Sequence, residues 1–505
     1  MISSKYMKSM QNQTNEDTSQ IGWTSWLLLA CLTVAASASF GFGYGIGGPN
    51  QVSRQIDKSL RNIDNRTDSI TDELKSGIPQ TMFTIANAVG AFTAAKFGLI
   101  PRFNNRRTIF YVNYAFYFVS VILVILSSYA KWFWLYLISR LFHGYQGGMA
   151  CAIVPPYINE ISSRKVRGAT GTIHQLFITV GILISQIIGL PIILGTDNAW
   201  QWTFVIGCIP SIIAIPIIRY LPDSPSDVIG KHNDELKAVE SLRKLRGTRD
   251  VSKEIENIKA ESQAKSGDSE ITTLGFMQLI KSSRHRWPLI ISMSLLGGQA
   301  LTGINAVFFY SEKIFKSAGI SDLNIPYAVL STGVINVVAT ILAIKLMEMW
   351  GRRILIIYPG IGLSLVSIVL AITIKVNESS TTTGLSWLII ILIMLYIICF
   401  AVGWGPIPFL YCTEVFRQDA RDSALVMGLI LNYLFNVLLS FTFPALNRAI
   451  GGYVFAIFAV ITAAQVALFW YKMPETKNKT ISQIEAFWSI PAIVSIDEEL
   501  HDISE

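Results

Sequence analysis

Apolar residues in this chain come in long blocks rather than in alternation with polar ones. The blocks occupy 24–46, 79–100, 108–128, 132–157, 171–195, 200–221, 287–311, 325–346, 354–374, 386–411, 424–444 and 451–471. A helix needs about 20 mostly apolar residues to cross a bilayer, so the pattern predicts an all-α membrane protein with twelve spanning helices. Segment 222–286 is the only long polar stretch between spans. It divides the chain into six-span halves, 24–221 and 287–471, flanked by polar tails at 1–23 and 472–505. Its helix-like runs, 234–246 and 251–264, fit either a solvated linker or a bundle that latches one face of the protein. The first span is too long, and lies too far behind a polar tail, for a cleaved signal peptide, and is expected to remain as the first helix.

Composition agrees. Of 505 residues, 51% are hydrophobic and 15% charged, and the mean hydropathy is +0.45. That charge is too little for the shell of a soluble protein of this length, and the apolar content is too high for disorder. The net charge of +7 calls for no nucleic-acid partner, because basic residues flanking spans gather on the cytoplasmic side. Arg102, Arg106, Arg107, Arg164, Lys165, Arg167, Arg352, Arg353, Arg417 and Arg421 all fall on one side of the predicted spans. Both termini and segment 222–286 are therefore expected in the cytoplasm, with the protein in the plasma membrane. The loop 47–78 is expected outside, where Asn65-Arg66-Thr67 is a candidate glycosylation sequon. Cys31, Cys151, Cys208, Cys399 and Cys412 lie in or beside apolar runs with no C-x-x-C pairing or neighbouring histidine, which points to no disulfide framework, metal or cofactor.

The halves echo each other. Pro155-Pro156-Tyr157 leads to Glu160 and Arg167, and Pro406 and Pro408 lead to Glu414 and Arg421, each acid and arginine recurring 254 residues on. Arg106-Arg107 recurs as Arg352-Arg353, and Pro222-Asp223-Ser224-Pro225 recurs weakly as Pro474-Glu475-Thr476-Lys477. Repeated six-helix halves around a midplane site are the plan of a secondary transporter.

Charge near the bilayer centre is costly and usually functional. Glu160, Glu348 and Glu414 are predicted at cytoplasmic ends beside arginines, and Asp197 in an outer loop, leaving no acid near a midplane. Arg140 is expected near the outer end of span four, where it can snorkel or pair, and Lys96 near the inner end of span two. His174 is the one nearby titratable candidate, and a neutral histidine hydrogen-bonded at a helix end accounts for it. The spans hold amides instead: Gln175, Gln186, Gln299, Asn305, Asn336, Asn432 and Asn436. Taken singly each is interhelical glue; their concentration in spans five, seven, eight and eleven favours a shared polar cavity. Such a cavity suits a neutral polyol, whose hydroxyls donate and accept, with aromatics such as Phe308, Phe309, Tyr310, Trp404, Phe409 and Tyr433 against its apolar faces. Glycines and prolines cluster at Gly41 to Pro49, Gly297 to Gly303 and Gly403 to Pro408, where helices are expected to break or bend. Glu160, Arg167, Glu414 and Arg421, with Arg106, Arg107, Glu348, Arg352 and Arg353, form either an inner gate or a set of topology determinants.

The stretches Arg140 to Gly148, Pro156-Tyr157 to Arg167-Gly168, Gly171 to Leu176, Gln299 to Tyr310, Gly351-Arg352-Arg353, Gly405-Pro406-Ile407-Pro408 and Pro474 to Lys477 resemble those of sugar porters of the major facilitator superfamily. They are most similar to the animal facilitative glucose transporters, over nearly all of 22–485. The resemblance implies sugar contacts at Gln175, Gln299, Asn305, Asn336 and Asn432, with Ile178 and Ile182 as apolar lining. The neighbouring amide Asn436 and the aromatics Trp404 and Phe409 complete the candidate site. It further implies an outer gate at Phe309 and Tyr310, and an inner gate at the glutamates and arginines named above. The chain departs from the family pattern at Leu296-Gly297-Gly298, Ala300, Ala401, Phe409, Tyr433, Asn105 and Ser226. Gly45 follows Phe42-Gly43-Tyr44 where proton-linked sugar porters carry an aspartate. The expectation is a facilitative uniporter of a neutral hexose, glucose first. The rivals are a proton-coupled sugar symporter and a non-transporting sugar sensor, and no constellation of an enzyme is visible.

Overall fold

The structure is a computed structural model, and it describes residues 22–61, 70–97, 106–163, 165–229, 234–248, 250–263, 275–317, 319–379, 383–477, 479 and 481–489. Every regular element among them is a helix. Ten helices are long and apolar enough to span a bilayer: α1 (Ser25–Gln51), α3 (Arg106–Ala130), α5 (Arg167–Ile188), α6 (Trp200–Ile218), α7 (Arg286–Glu312), α8 (Ile325–Trp350), α9 (Arg352–Asn377), α10 (Gly384–Val415), α11 (Ser423–Ile450) and α12 (Tyr453–Lys472). Two more, α2 (Ile70–Phe97) and α4 (Phe133–Ile161), have the length at 28 and 29 residues but are more polar, and they complete the twelve. Their polar residues are turned inward: Gln80 and Asn87 of α2, and Arg140, His143 and Gln146 of α4, are all buried.

Small residues let the helices of the first half approach closely, as membrane helices require when lipid supplies no hydrophobic drive between them. A Cβ at Gly148 of α4 would collide with the Asn87 carbonyl of α2, and one at Gly43 of α1 with the Ile178 carbonyl of α5. Here the structure corrects the expectation of a break at Gly41 to Pro49. That stretch stays helical, and its glycines are contact surface for α4 and α5. The irregularity of α1 lies earlier, in a π-helical turn at Ala35–Ser39. By contrast α7 does break, at Gly303, whose φ of 87° suits glycine and against which the Phe458 ring packs. α10 carries a second π-helical turn at Phe400–Trp404, just before Gly405.

The start of α1, the polar segment and the last described helix share one face, called here the terminal face. Thr24 Oγ1 donates to the Leu245 carbonyl at 2.7 Å, and Arg246 donates to the Ile161 carbonyl at 2.8 Å and to Glu254 at 2.7 Å. Helices Glu235–Arg246 and Ser252–Gln263 enclose a small core of Val228, Ile229, Ala238, Leu242, Val251 and Ile255. These two helices of the segment are thus packed together and seated on the first half, while its helix Phe276–Lys281 packs on the second half. Helix Ile481–Ser489 is tied to the end of the polar segment through Arg284–Glu485 at 2.6 Å and to α12 through Trp488 Nε1 donating to the Lys472 carbonyl at 3.0 Å.

The repeat seen in the sequence is carried by matching contacts. Arg106 at the start of α3 pairs with Glu160 of α4, and Arg352 at the start of α9 pairs with Glu414 of α10 at 2.7 Å. Behind them, Asp223 pairs with Arg107 at 2.8 Å, while Glu475 accepts from the backbone N–H groups of Arg352 and Arg353 at 2.9 and 3.0 Å. The weak match between Pro222-Asp223 and Pro474-Glu475 therefore marks one device used twice, an acid returning to the first turn of its half's third helix. Glu475 satisfies backbone donors that the helix leaves open, Asp223 meets the Arg107 and Lys237 side chains, and a carboxylate at either place favours the helix dipole. Glu475→Ala should lower stability by about 1–2 kcal/mol in a detergent thermal-unfolding assay, with Glu475→Gln keeping part of that.

Candidate functional site

A continuous row of amides runs between α7 and α11. Gln299 Nε2 donates to the carbonyls of Trp404 and Gly405 at 2.8 and 3.1 Å, and Asn432 Nδ2 donates to the Leu296 carbonyl at 2.6 Å and to Gln299 Oε1 at 3.2 Å. Asn436 Nδ2 then donates to Asn432 Oδ1 at 2.9 Å, and Asn305 Nδ2 to Asn436 Oδ1 at 2.6 Å. Local sequence explains both ends of the row. Pro408 has no N–H to offer the Trp404 carbonyl four residues back, so that carbonyl is open to Gln299. Asn305 follows the break at Gly303, and Asn432 and Asn436 are one turn apart on a single face of α11.

The opposite wall belongs to α5. Gln175 lies against Gly405, where any side chain would meet its amide at 3.1 Å, and Ile178 and Ile182 are buried one and two turns further along. Asn336 of α8 stands apart from the row. It is buried with no protein partner for Oδ1, in the seam where Gln186 Nε2 of α5 reaches Thr332 Oγ1 at 3.4 Å. Phe409 closes over His174 edge-on at 5.3 Å, and His174 Nδ1 shares a 2.8 Å hydrogen bond with Ser39 Oγ, presented by the π-helical turn of α1. His174 is thereby a packed, hydrogen-bonded side chain. Trp404 does not present its ring to the amides: the indole is buried against Phe469 and donates to the Ile356 carbonyl at 3.0 Å, so only its backbone oxygen faces the row.

The halves meet on both sides of this region. On the face away from the termini, Tyr310 donates to the Ser440 carbonyl at 2.6 Å, stacks on Phe443 at 5.3 Å and lies beside Gly77 of α2, with Phe309 buried edge-on to it. Toward the terminal face, Tyr433 meets Cys151 of α4, and Leu410 fills the space a side chain at Gly171 would take. The Arg106–Glu160 and Arg352–Glu414 pairs lie deeper on that face and each joins helices of one half. Their side chains are only 8–15% exposed, so they are little screened by salt and removing one partner would leave a buried charge uncompensated. Arg352 also lies over Gly168, across the seam, and Arg421 donates to the Phe416 carbonyl at 3.3 Å. Arg107 pairs with Asp223, Arg353 donates to the Trp470 carbonyl, and Arg167 opens α5 half-buried. Glu348 is exposed near the end of α8, and Glu475 is the acid that meets the Arg352-Arg353 turn. Asn65 and the side chain of Lys96 lie outside the described residues.

Arg140 neither snorkels nor pairs with an acid. It is 1% exposed, donates to the Gly45 carbonyl at 2.9 Å and to Gln80 Oε1 at 3.0 Å, and lies over the Phe83 ring at 4.3 Å. A side chain at Gly45 would run into His143 at 2.7 Å and Phe83 at 2.9 Å. The guanidinium is thus held by neutral acceptors and a ring face, and any side chain at Gly45 would require those rings to shift.

Known proteins share this architecture. The sequence profile described as "Sugar (and other) transporter" matches residues 31–488. The chain is 31% identical over 492 residues to "Solute carrier family 2, facilitated glucose transporter member 5" of Mus musculus, covering 96% of each chain. It is 34% identical over 474 residues to member 3 of Oryctolagus cuniculus, covering 91% of this chain and 92% of that one. Among solved structures, the proton:xylose symporter XylE bound to 6-bromo-6-deoxy-D-glucose superposes with a TM-score of 0.77 at 22% identity, covering 92% of this chain and 99% of that one. The inward-open conformation of XylE from E. coli gives 0.69 at 21% identity, covering 92% and 100%. With twelve helices in the fold of the major facilitator structure it superposes on, repeated terminal-face pairs and a profile match over most of its length, the chain belongs to the sugar transporter family.

Proposed function

We propose that this protein is a facilitative uniporter of a neutral hexose, glucose being the first to test, in the plasma membrane with its terminal face in the cytoplasm. The observation that carries the reading is the row Gln299–Asn432–Asn436–Asn305 facing Gln175, polar throughout and free of ionised side chains. Each amide in it holds both donor and acceptor capacity, matching hydroxyls that do both. In the closed arrangement the amides satisfy one another, so a sugar enters by exchanging those bonds for its own rather than by filling an ionic site. The curated relatives named as facilitated glucose transporters support the substrate class.

Uncoupled transport is supported by the placement of charge. Among the described residues with placed side chains, the acids lie at the two faces: Glu160, Asp223, Glu414 and Glu475 toward the termini, Asp57, Asp197, Glu312 and Asp322 opposite. Proton coupling needs a group that gains and loses a proton within the pathway; by the family resemblance Gly45 stands where proton-linked porters carry an aspartate, and its carbonyl accepts from Arg140. XylE, a proton:xylose symporter, shares the fold at 22% identity and argues for the fold alone.

Alternating access would break and remake the contacts on each side in turn, with the deeper Arg106–Glu160 and Arg352–Glu414 pairs keeping each half rigid. Purified protein in liposomes should take up labelled glucose or fructose down its gradient; no uptake of any hexose by correctly folded protein would refute the assignment. Gln299→Ala or Asn432→Ala should reduce uptake efficiency about tenfold, the loss of one well-placed hydrogen bond to substrate plus an orphaned neighbour. Trp404→Phe, whose ring faces away, should leave apparent affinity within about twofold of wild type.

A further inference from the structure

The loop that follows α1 contains a helix, Ser53–Arg61, whose two edges contact different halves of the protein. Its apolar edge is anchored to the first half: Val52, Ile56 and Leu60 are buried with Val124, Tyr136, Trp200 and Phe204. Gln55 Nε2 donates to the Gly195 carbonyl at 2.8 Å, and Lys58 pairs with Asp197 at 2.6 Å, on the same half. The other edge reaches across the seam to the second half. Ser53 donates to Glu312 at the end of α7, and Arg54 pairs with Asp322 of the α7–α8 loop at 2.8 Å. Just inside them, Asn50 Nδ2 donates to Ser311 Oγ at 2.7 Å, with both residues buried.

We propose that Ser53 and Arg54, with Glu312 and Asp322, form a polar latch that holds the two halves closed on the face away from the termini, so that opening to that side requires its release. The proposal rests on the alternating-access reading above and adds gating residues to the aromatic cover at Phe309 and Tyr310. Three features make the contacts a latch. The helix is fixed on one side by a buried apolar edge, so it moves with the first half as a body. Its partners sit at the end of the broken helix α7, beyond the non-helical backbone of Tyr310, and in the loop that follows. The contacts also grade from buried at Asn50–Ser311, through half-buried at Ser53–Glu312, to exposed at Arg54–Asp322, so separation can begin at the solvent edge. Lys316 lies 3.4 Å from Asp322 on its far side, and the Arg54 hydrogen bond holds the Asp322 carboxyl below the usual carboxylate range, which keeps the outermost pair ionised.

The test reads the separation of the two rims and needs no sugar, so it stands or falls independently of the substrate assignment. In full-length protein carrying Cys399→Ser, spin labels at Ile192 of the first half and Leu323 of the second, 75% and 83% exposed, report the distance across the seam. Wild type should give a dominant short distance. Arg54→Asp should raise the ratio of long to short about two- to fivefold, the scale of a partly exposed ion pair, and adding Asp322→Arg should return it toward wild type. Ser53→Ala, which leaves the net charge unchanged, should shift the ratio in the same direction, as should 1 M salt on wild type by about twofold. An unchanged distance distribution in Arg54→Asp and Ser53→Ala, or a shift that Asp322→Arg leaves in place, would overturn the latch.

Discussion

Inside the hydrocarbon of a bilayer no water completes a polar group's hydrogen bonds, so a buried polar group left without a partner in the protein is costly. The architecture around the central site follows from how this chain meets that constraint. Pro408 opens the Trp404 carbonyl, Gln299 takes it, Asn432 takes Gln299, and the sequence continues through Asn436 to Asn305. Because each link is neutral, the row is tolerated at depth without a counter-ion, and it can be exchanged bond for bond with a ligand of the same chemistry. Were one member ionised, the site would need either a partner charge or a titration, and uncoupled passage of a neutral solute would no longer follow from it.

The same constraint shapes the supporting structure. Arg140 is a buried cation, which is expensive unless hydrogen-bonded and shielded, and it is met by the Gly45 carbonyl, Gln80 and the Phe83 ring. That solution depends on glycine at 45, since a side chain there would displace His143 and Phe83. Charged pairs are kept where the dielectric is kinder, at the ends of the helices. There the two halves repeat one arrangement, arginine to glutamate between the third and fourth helices with an acid returning from the end of the sixth. Rigid halves with a soft seam between them are what rocking around a fixed site requires.

Much of this was legible in the sequence. Twelve apolar blocks mark the twelve long helices, with ends that differ by at most nine residues, at the start of α2, since length and hydropathy dominate in a membrane. The 254-residue echo couples Glu160 with Arg167 and Glu414 with Arg421, whereas the structure pairs Glu160 with Arg106 and Glu414 with Arg352; the concentration of amides marks the region of the row, from which Gln186 and Asn336 stand apart. Three features could not be read. The glycines after Gly41 suggested a break, because close packing against a partner helix and a kink draw on the same residue. Trp404 suggested a sugar platform, because sequence says nothing of which way a ring turns within a π-helical turn. Glu475 is legible only as part of a faint motif, because capping of α9 is a contact made 122 to 123 residues away. Its counterpart Asp223 was the available signal.

The central claim is that a polar midplane without ionised groups carries a neutral hexose with no ion coupled to it. The most direct test is the final level of labelled hexose inside proteoliposomes with and without an imposed proton gradient. The account predicts that internal hexose stops at the external concentration in both cases, and that the gradient leaves that plateau unchanged. Accumulation above the external concentration when protons flow inward would contradict it.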